Sequence, residues 1–366
     1  MILICPTAFK GTLTPSEAAA ALVEGARRAV PGERVIPLPL SDGGSGLLDT
    51  LRGLPRMEVR GCAVAGPLGA PVRARWLHSG ERVVVESAQA CGIQHVPAHA
   101  LDPLRATTRG VGELIARARA AAPGAELVLG LGGSATVDGG LGMAAALGWR
   151  LLGDDGRPVP PGGRGLLRLA RIRPSPAAEG DSAPGRILAL ADVDNPLTGP
   201  RGAARVYGPQ KGATPAVVAE LERGLERLAE RLRVDLGVDI GDLAGAGAAG
   251  GLGAAAVAFL GAALVPGSRW VLDALDFEAR LADARLVVTG EGAVDAQTGM
   301  GKIVGEVLAR ARVAGVPALV VAGRIEGELP PGAHGVDGGG GSLDGTALAS
   351  LAEEGVRALS RAAGPG

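Results

Sequence analysis

The chain is punctuated by short apolar runs that stop abruptly at a carboxylate, a hydroxyl or a lysine, most of them near a glycine. ILIC runs into PTAFKGT, VIPLPL into SDGGSG, ELVLG into LGGSATVDGG, ILALA into DVDNP, and RLVVTG into EGAVD. Between the runs lie longer stretches rich in Ala, Leu and charge, at 16–29, 110–121, 215–232 and 302–314. A four- or five-residue apolar run of this kind reads as a buried strand, and parallel neighbours need a helical crossover between them. The pattern therefore predicts α/β architecture with glycine loops at the strand ends, the place where open α/β sheets bind ligands.

A chain of 366 residues exceeds the ~250–300 at which a single core stops growing, so two domains are expected. From Arg56 to Val85 the rhythm changes to alternation with turns (GPLGAP, HSGER), which predicts antiparallel strands. The βα rhythm resumes at Arg285. The expected organisation is one α/β domain made of both chain ends, 1–60 plus 284–366, with a second α/β domain, 61–283, inserted into it. Thr14, Pro15 and Glu17 predict a capped start for the first helix. Residues 153–186 and the tail HGVDGGGGSLDG are expected as loops. The uncharged run 243–268 is expected as a glycine-rich loop feeding a buried helix at 252–264, not as a membrane span.

Composition removes several classes of partner. Aromatics are 2% of the chain, too few for base-stacking platforms, and a net charge of −1 gives no attraction to nucleic acid or an anionic membrane. Cys5, Cys62 and Cys91 form no CxxC pair and are expected as reduced thiols in a cytoplasmic protein. The first residues, MILICPTAFK, lack a basic leader and are expected as a strand, not a signal peptide. The four histidines show no triad partner and no zinc spacing.

Positive charge is distributed unusually, with 34 arginines against only three lysines, Lys10, Lys211 and Lys302, each beside a glycine. Lysine is a compact point charge where arginine is a planar fork, so these three positions are candidates for anion contact. GLGGSATVDGG at 130–140 sits between a strand and a helix, the right context for a phosphate loop. Gly132 and Gly133 would let an anion approach the backbone, while Ser134 and Thr136 add hydroxyls. Asp138 either takes part or simply caps the next helix. Asp42, Asp192, Glu291 and Asp295 are carboxylates at strand ends. Each alone fits a cap or turn, yet one or two carboxylates also suffice for Mg²⁺ on nucleotide phosphates. GAGAAGGLG at 245–253 contains a formal GxGxxG without a preceding strand, so an NAD(P)-dependent oxidoreductase stays a minor alternative. GMGK is followed by Ile303, which excludes a P-loop.

Taken in order, these motifs resemble the bacterial glycerate kinase family, the group that contains the glycerate 2-kinases. The matching stretches are P-x-x-F-K at Pro6–Lys10, DGG-x-G at 42–46 and TT-x-G-x-GELI at 107–115, then GLGGSAT-x-DGG-x-GM at 130–143. DV-x-NPL follows at 192–197, GPQKGAT at 208–214, GAGAAGG-LGAA at 245–255, and TGEG-x-x-D-x-Q with GK at 289–302. The resemblance implies ATP- and Mg²⁺-dependent phosphorylation of D-glycerate, to 2-phosphoglycerate ahead of 3-phosphoglycerate, by a two-domain α/β enzyme with its active site in the cleft between domains. It implies catalytic roles for Lys10, Asp192, Lys211, Asp295 and Lys302. Asp192 would bind the metal with Asn195 assisting, and Asp295, or Asp42 as rival, would accept the hydroxyl proton. Substrate or phosphate would meet Asp42, Gly132, Gly133, Ser134, Thr136, Asp138, Asn195 and Glu291. The chain departs from the family pattern at Thr7, Ala8, Ser45, Leu47, Val137 and Ala293, where polar or charged residues are usual. A weakened or silent sugar-acid-binding homologue is the alternative those departures raise.

Overall fold

The computed structural model describes residues 1–9, 11–174, 185–294, 302–341 and 343–362. Two compact units result, one of Met1–Asp42, Asp49–Gly53 and Pro266–Gly366, the other of Gly43–Leu48 and Leu54–Val265. The changes of unit fall earlier along the chain than the periodicity suggests. Strand Glu58–Ala65 pairs with Pro71–His78 inside the second unit. Helices Gly267–Ala274 and Phe277–Ala282 are tied through Asp273 and Glu278 to Arg310 of the first.

In the unit of the chain ends, five parallel strands run in the order Ala333–Asp337, Ala318–Ile325, Leu286–Val294, Ile2–Pro6, Val35–Pro37. Every residue of Ile2–Pro6 is buried, as an apolar run between two parallel neighbours requires. Helix Pro15–Ala29 starts where the sequence predicts. The Glu17 amide donates to Thr14 Oγ1 at 3.3 Å, and the Thr14 amide donates back to Glu17 Oε2 at 2.8 Å. Its apolar face, with Ala18, Leu22 and Ala26, joins Leu348, Ala349 and Ala352 of helix Gly345–Ala362 and the strand residues Ile4, Val288 and Val321 in one core. The glycine-rich tail, expected as a loop, instead supplies the edge strand. Asp337 closes the turn after it by accepting from the Ile325 and Gly339 amides.

The second unit holds a six-stranded mixed sheet in the order Ala263–Val265, Ile187–Leu190, Glu126–Gly130, Arg82–Glu86, Pro71–His78, Glu58–Ala65. The first four strands are parallel and the last two pairings antiparallel, so the change of rhythm after Arg56 is a real change of topology. The stretch 153–186 is not simply loop. Its described part contains a 3₁₀ turn at Gly163–Arg168 and strand Arg171–Arg173, which pairs antiparallel with Arg150–Leu152. The buried helix covers Ala248–Leu260 and stops there, leaving Ala263–Val265 as an edge strand where helix is expected. No helix among the described residues is long and apolar enough to cross a membrane. Cys5 and Cys91 are buried, Cys62 half-buried, and all three are free thiols.

Candidate active site

The four parallel strands of the second unit end in register. Glu86 lies opposite Gly130, Gly130 opposite Leu190, and Leu190 opposite Val265. The Leu131 amide extends the ladder by donating to the Leu190 carbonyl at 3.1 Å, and the chain then leaves the sheet as the loop 132–138. Two backbone bonds pin that loop on one side: Ile93 N–H to the Gly133 carbonyl and Ala135 N–H to the Cys91 carbonyl, each 2.8 Å. On the other side lies the second glycine loop, 43–46. A Cβ on Gly130 would fall 2.4 Å from the Gly43 carbonyl oxygen, and one on Gly133 would fall 2.3 Å from Ser45 Oγ. Gly133 also has φ +63°, a conformation glycine adopts without cost. Gly132 is half-buried and Gly133 exposed, and among the described residues the N–H groups of Gly132, Gly133 and Ser134 meet no acceptor. Two glycine loops thus face each other over free donors, an arrangement suited to an anion.

Behind the exposed tip the loop is solidly anchored. Lys211 is 3% exposed, and its ammonium donates to Ser134 Oγ at 2.9 Å and to the Thr136 carbonyl at 2.8 Å. Two of the three Lys211 donors are thus spent inside the protein, at a position where anion contact is expected. Burial lowers its pKa from 10.5 to about 8, against the opposing charges of Cys91 and Asp138. Thr136 is itself fully buried, so its hydroxyl is not a surface donor. Asp138, expected at the substrate, is fully buried as well. Its carboxylate accepts from the Thr108 amide (2.8 Å) and hydroxyl (2.9 Å) and from the Gly140 (3.0 Å) and Gly142 (3.2 Å) amides. Burial pushes the Asp138 carboxyl above its usual range while those donors pull it down. Asp138 therefore orders the turn into helix Leu141–Ala146, where Gly140 and not Asp138 occupies the N-cap position.

The buried amine has a consequence for stability. Between pH 8 and 10.5 the unfolded chain holds more protons at Lys211 than the folded one, so stability rises with pH there. Burial pushes the Cys91 thiol up from 9.0 to about 12, which works the other way above pH 9. The isolating window is pH 8 to 9, where the wild type should gain about 1 kcal/mol. Urea midpoints at the two pH values should show this gain in the wild type and lose it in Lys211→Met.

Asp192 follows strand Ile187–Leu190 and is half-buried, one strand over from the glycine loop. The side-chain amide of Asn195 is engaged at both ends. It accepts from the Tyr207 hydroxyl at 2.6 Å and donates to the Arg201 carbonyl at 2.7 Å, so it shapes the 192–202 loop. Among the described residues no three His, Cys, Asp or Glu side chains converge as a metal cage. Mg²⁺ carried by a nucleotide needs no cage, only one or two carboxylates beside phosphate oxygens, and Asp192 is a carboxylate at a strand end. In the unit of the chain ends, Glu291 is half-buried on strand Leu286–Val294 and Asp42 is exposed. Lys302 stands in the N-cap position of helix Ile303–Val313. Lys10 and Asp295 lie outside the described residues.

The formal GxGxxG has a packing role. Ala249, Gly250 and Gly251 are consecutive left-handed residues. A Cβ on Gly250 would lie 2.0 Å from the Thr136 carbonyl oxygen, and the Gly139 amide donates to the Gly250 carbonyl at 3.1 Å. These glycines let one turn seat on the other, and no strand feeds them. Sequence reasoning missed Thr108 and Cys91. Thr108 lies in the matched TT-x-G stretch, and its hydroxyl links Asp138 to the Met143 amide (2.9 Å). For Cys91 no motif gives a signal.

The fold is α/β with glycine loops at strand ends, and comparison with known proteins gives its class. The model of the glycerate kinase family matches residues 2–358, and the chain belongs to that family. It is a kinase enzyme. It is 42% identical over 340 residues to a glycerate kinase of Halalkalibacterium halodurans, covering 92% of this chain and 89% of that one. It is 40% identical over 339 residues to the glycerate 2-kinase of Escherichia coli, covering 92% and 88%. A crystal structure assigned to glycerate kinase 2 of Salmonella typhimurium LT2 superposes with a TM-score of 0.80 at 37% identity, covering 99% of this chain and 98% of that one.

Proposed function

We propose that the protein transfers the γ-phosphoryl group of ATP to D-glycerate and gives 2-phosphoglycerate. The observation that carries this reading is the pair of facing glycine loops, 43–46 and 132–134, the second with backbone N–H groups that meet no acceptor among the described residues, one strand from Asp192. Phosphoryl transfer asks little covalent chemistry of the protein and much positioning of charge. The N–H groups of Gly132, Gly133 and Ser134 hold phosphate oxygens or the glycerate carboxylate. Asp192 holds Mg²⁺, which neutralises phosphate charge when bound. Lys10, Lys302 and Glu291 are assigned to phosphate or substrate on their motif positions. Asp295, with Asp42 as rival, accepts the hydroxyl proton on the same ground. Tight anchoring of the loop and the family relationship to kinases favour an active enzyme over the silent homologue that the departures at Thr7, Ser45 and Ala293 raise.

The test is ADP release by purified protein with Mg-ATP, with and without D-glycerate, followed by ³¹P NMR of the product. Glycerate-dependent turnover yielding the 2-phosphate is expected. Turnover yielding the 3-phosphate would keep the kinase and correct the position. Inertness toward glycerate and related hydroxy acids would sink the substrate reading.

A further inference from the structure

Lys211 is a buried cation, and its surroundings point to an indirect role. Its Nζ donates to Ser134 Oγ and to the Thr136 carbonyl, the residues directly after the exposed glycine tip. A hydroxyl that accepts from an ammonium through its lone pair keeps its own O–H to give away. Among the described residues Ser134 donates to nothing, although it is 4% exposed. A hydrogen bond received from a cation polarises the hydroxyl and strengthens the bond that the hydroxyl then donates. The Thr136 carbonyl, held by the same ammonium, also carries the turn that packs on Gly250.

We infer that Lys211 is a positioning residue that fixes the 132–136 loop and turns the Ser134 hydroxyl into an oriented donor for the phosphate or carboxylate bound there, without touching that anion itself. This rests on the kinase reading above for the identity of the anion. It accounts for lysine at a position where the chain elsewhere uses arginine. A compact ammonium can give two bonds to a hydroxyl and a carbonyl within one turn, while a planar guanidinium in the same space would need that turn to open.

The experiment is a double-mutant cycle on Lys211→Met and Ser134→Ala, read as kcat/KM for D-glycerate phosphorylation and as the Kd of Mg-ATP by calorimetry. Loss of one preorganised donor should lower kcat/KM by about 10²-fold in each single variant. If Lys211 acts through Ser134, the double variant is no worse than Lys211→Met alone, because coupled residues are not additive. Losses that multiply, to about 10⁴-fold, would mean that Lys211 acts on the ligand independently and would overturn the inference. Lys211→Gln guards against a variant that merely unfolds. A neutral amide can restore the bond to Ser134 and should recover about tenfold of the activity lost in Lys211→Met, whereas a direct charge on phosphate would gain nothing from it. Should the wild type fail to phosphorylate glycerate, the kinase reading falls by itself. The cycle is then decided by Mg-ATP affinity, where coupled losses support the positioning role and additive ones remove it.

Discussion

Replacing Gly250 by alanine should cost about 3–5 kcal/mol of stability and most of the activity. Two effects add at this position. Its φ of +75° lies in the left-handed region, which costs an L-residue with a side chain about 1–2 kcal/mol. Beyond that, the new Cβ would stand 2.0 Å from the Thr136 carbonyl oxygen, which is backbone and cannot swing aside as a side chain could. One of the two turns must move, and Thr136 is the residue whose carbonyl Lys211 holds. Gly245→Ala is the matched control. It has φ +84°, but its nearest neighbour, the Val193 carbonyl oxygen, would be 3.3 Å away. That variant should cost about 1–2 kcal/mol, the conformational part with a shift of a few tenths of an ångström at Val193. Denaturant unfolding of both variants separates the two contributions, and equal losses would show that the close approach to Thr136 carries no energy.

The same pair of glycines shows how far a sequence can be read. The strand ends were legible because an apolar run that meets glycine and a carboxylate has few other structural meanings. Thr14, Pro15 and Glu17 announced the first helix through local bonds that the structure contains. What could not be read was which side of each motif faces a ligand. GGSAT looks like a row of equivalent donors, but only Gly132 and Gly133 reach the surface; Ser134 is buried and held from behind by Lys211, and Thr136 and Asp138 are fully buried. Burial of that kind depends on residues far along the chain: Thr108, Lys211 and Gly250 all close on the one loop. The edge strand Ala333–Asp337 was hidden for a related reason, since the glycines that follow it suggest a loop and only the neighbouring strand Ala318–Ile325 makes it part of a sheet. Val137, where the family pattern has a polar residue, is fully buried in the apolar core, so an apolar side chain is what its surroundings require.

Asp138→Asn should be the second large effect, and it separates a ligand-binding carboxylate from a structural one. In the wild type every group facing the two oxygens is a donor: the amides of Thr108, Gly140 and Gly142 and the hydroxyls of Thr107 and Thr108. A carboxylate accepts from all of them, but an asparagine must turn its NH₂ toward one set and leave buried donors without a partner. The loss of charge-assisted bonds together with unsatisfied amides should cost about 3–5 kcal/mol. Raising the temperature should unfold the variant well before the wild type, while the KM of whatever enzyme remains folded stays within about threefold. The opposite outcome, an unchanged melting temperature with a large rise in KM, would return Asp138 to the ligand. Alanine gives the bound from the other direction. It removes both oxygens, strands the same donors and opens a cavity beside them, so Asp138→Ala should be no more stable than the asparagine variant. If alanine proved the milder of the two, the wrongly turned NH₂ would be the dominant cost, and the bonds from Thr108, Gly140 and Gly142 would be worth less than their number suggests.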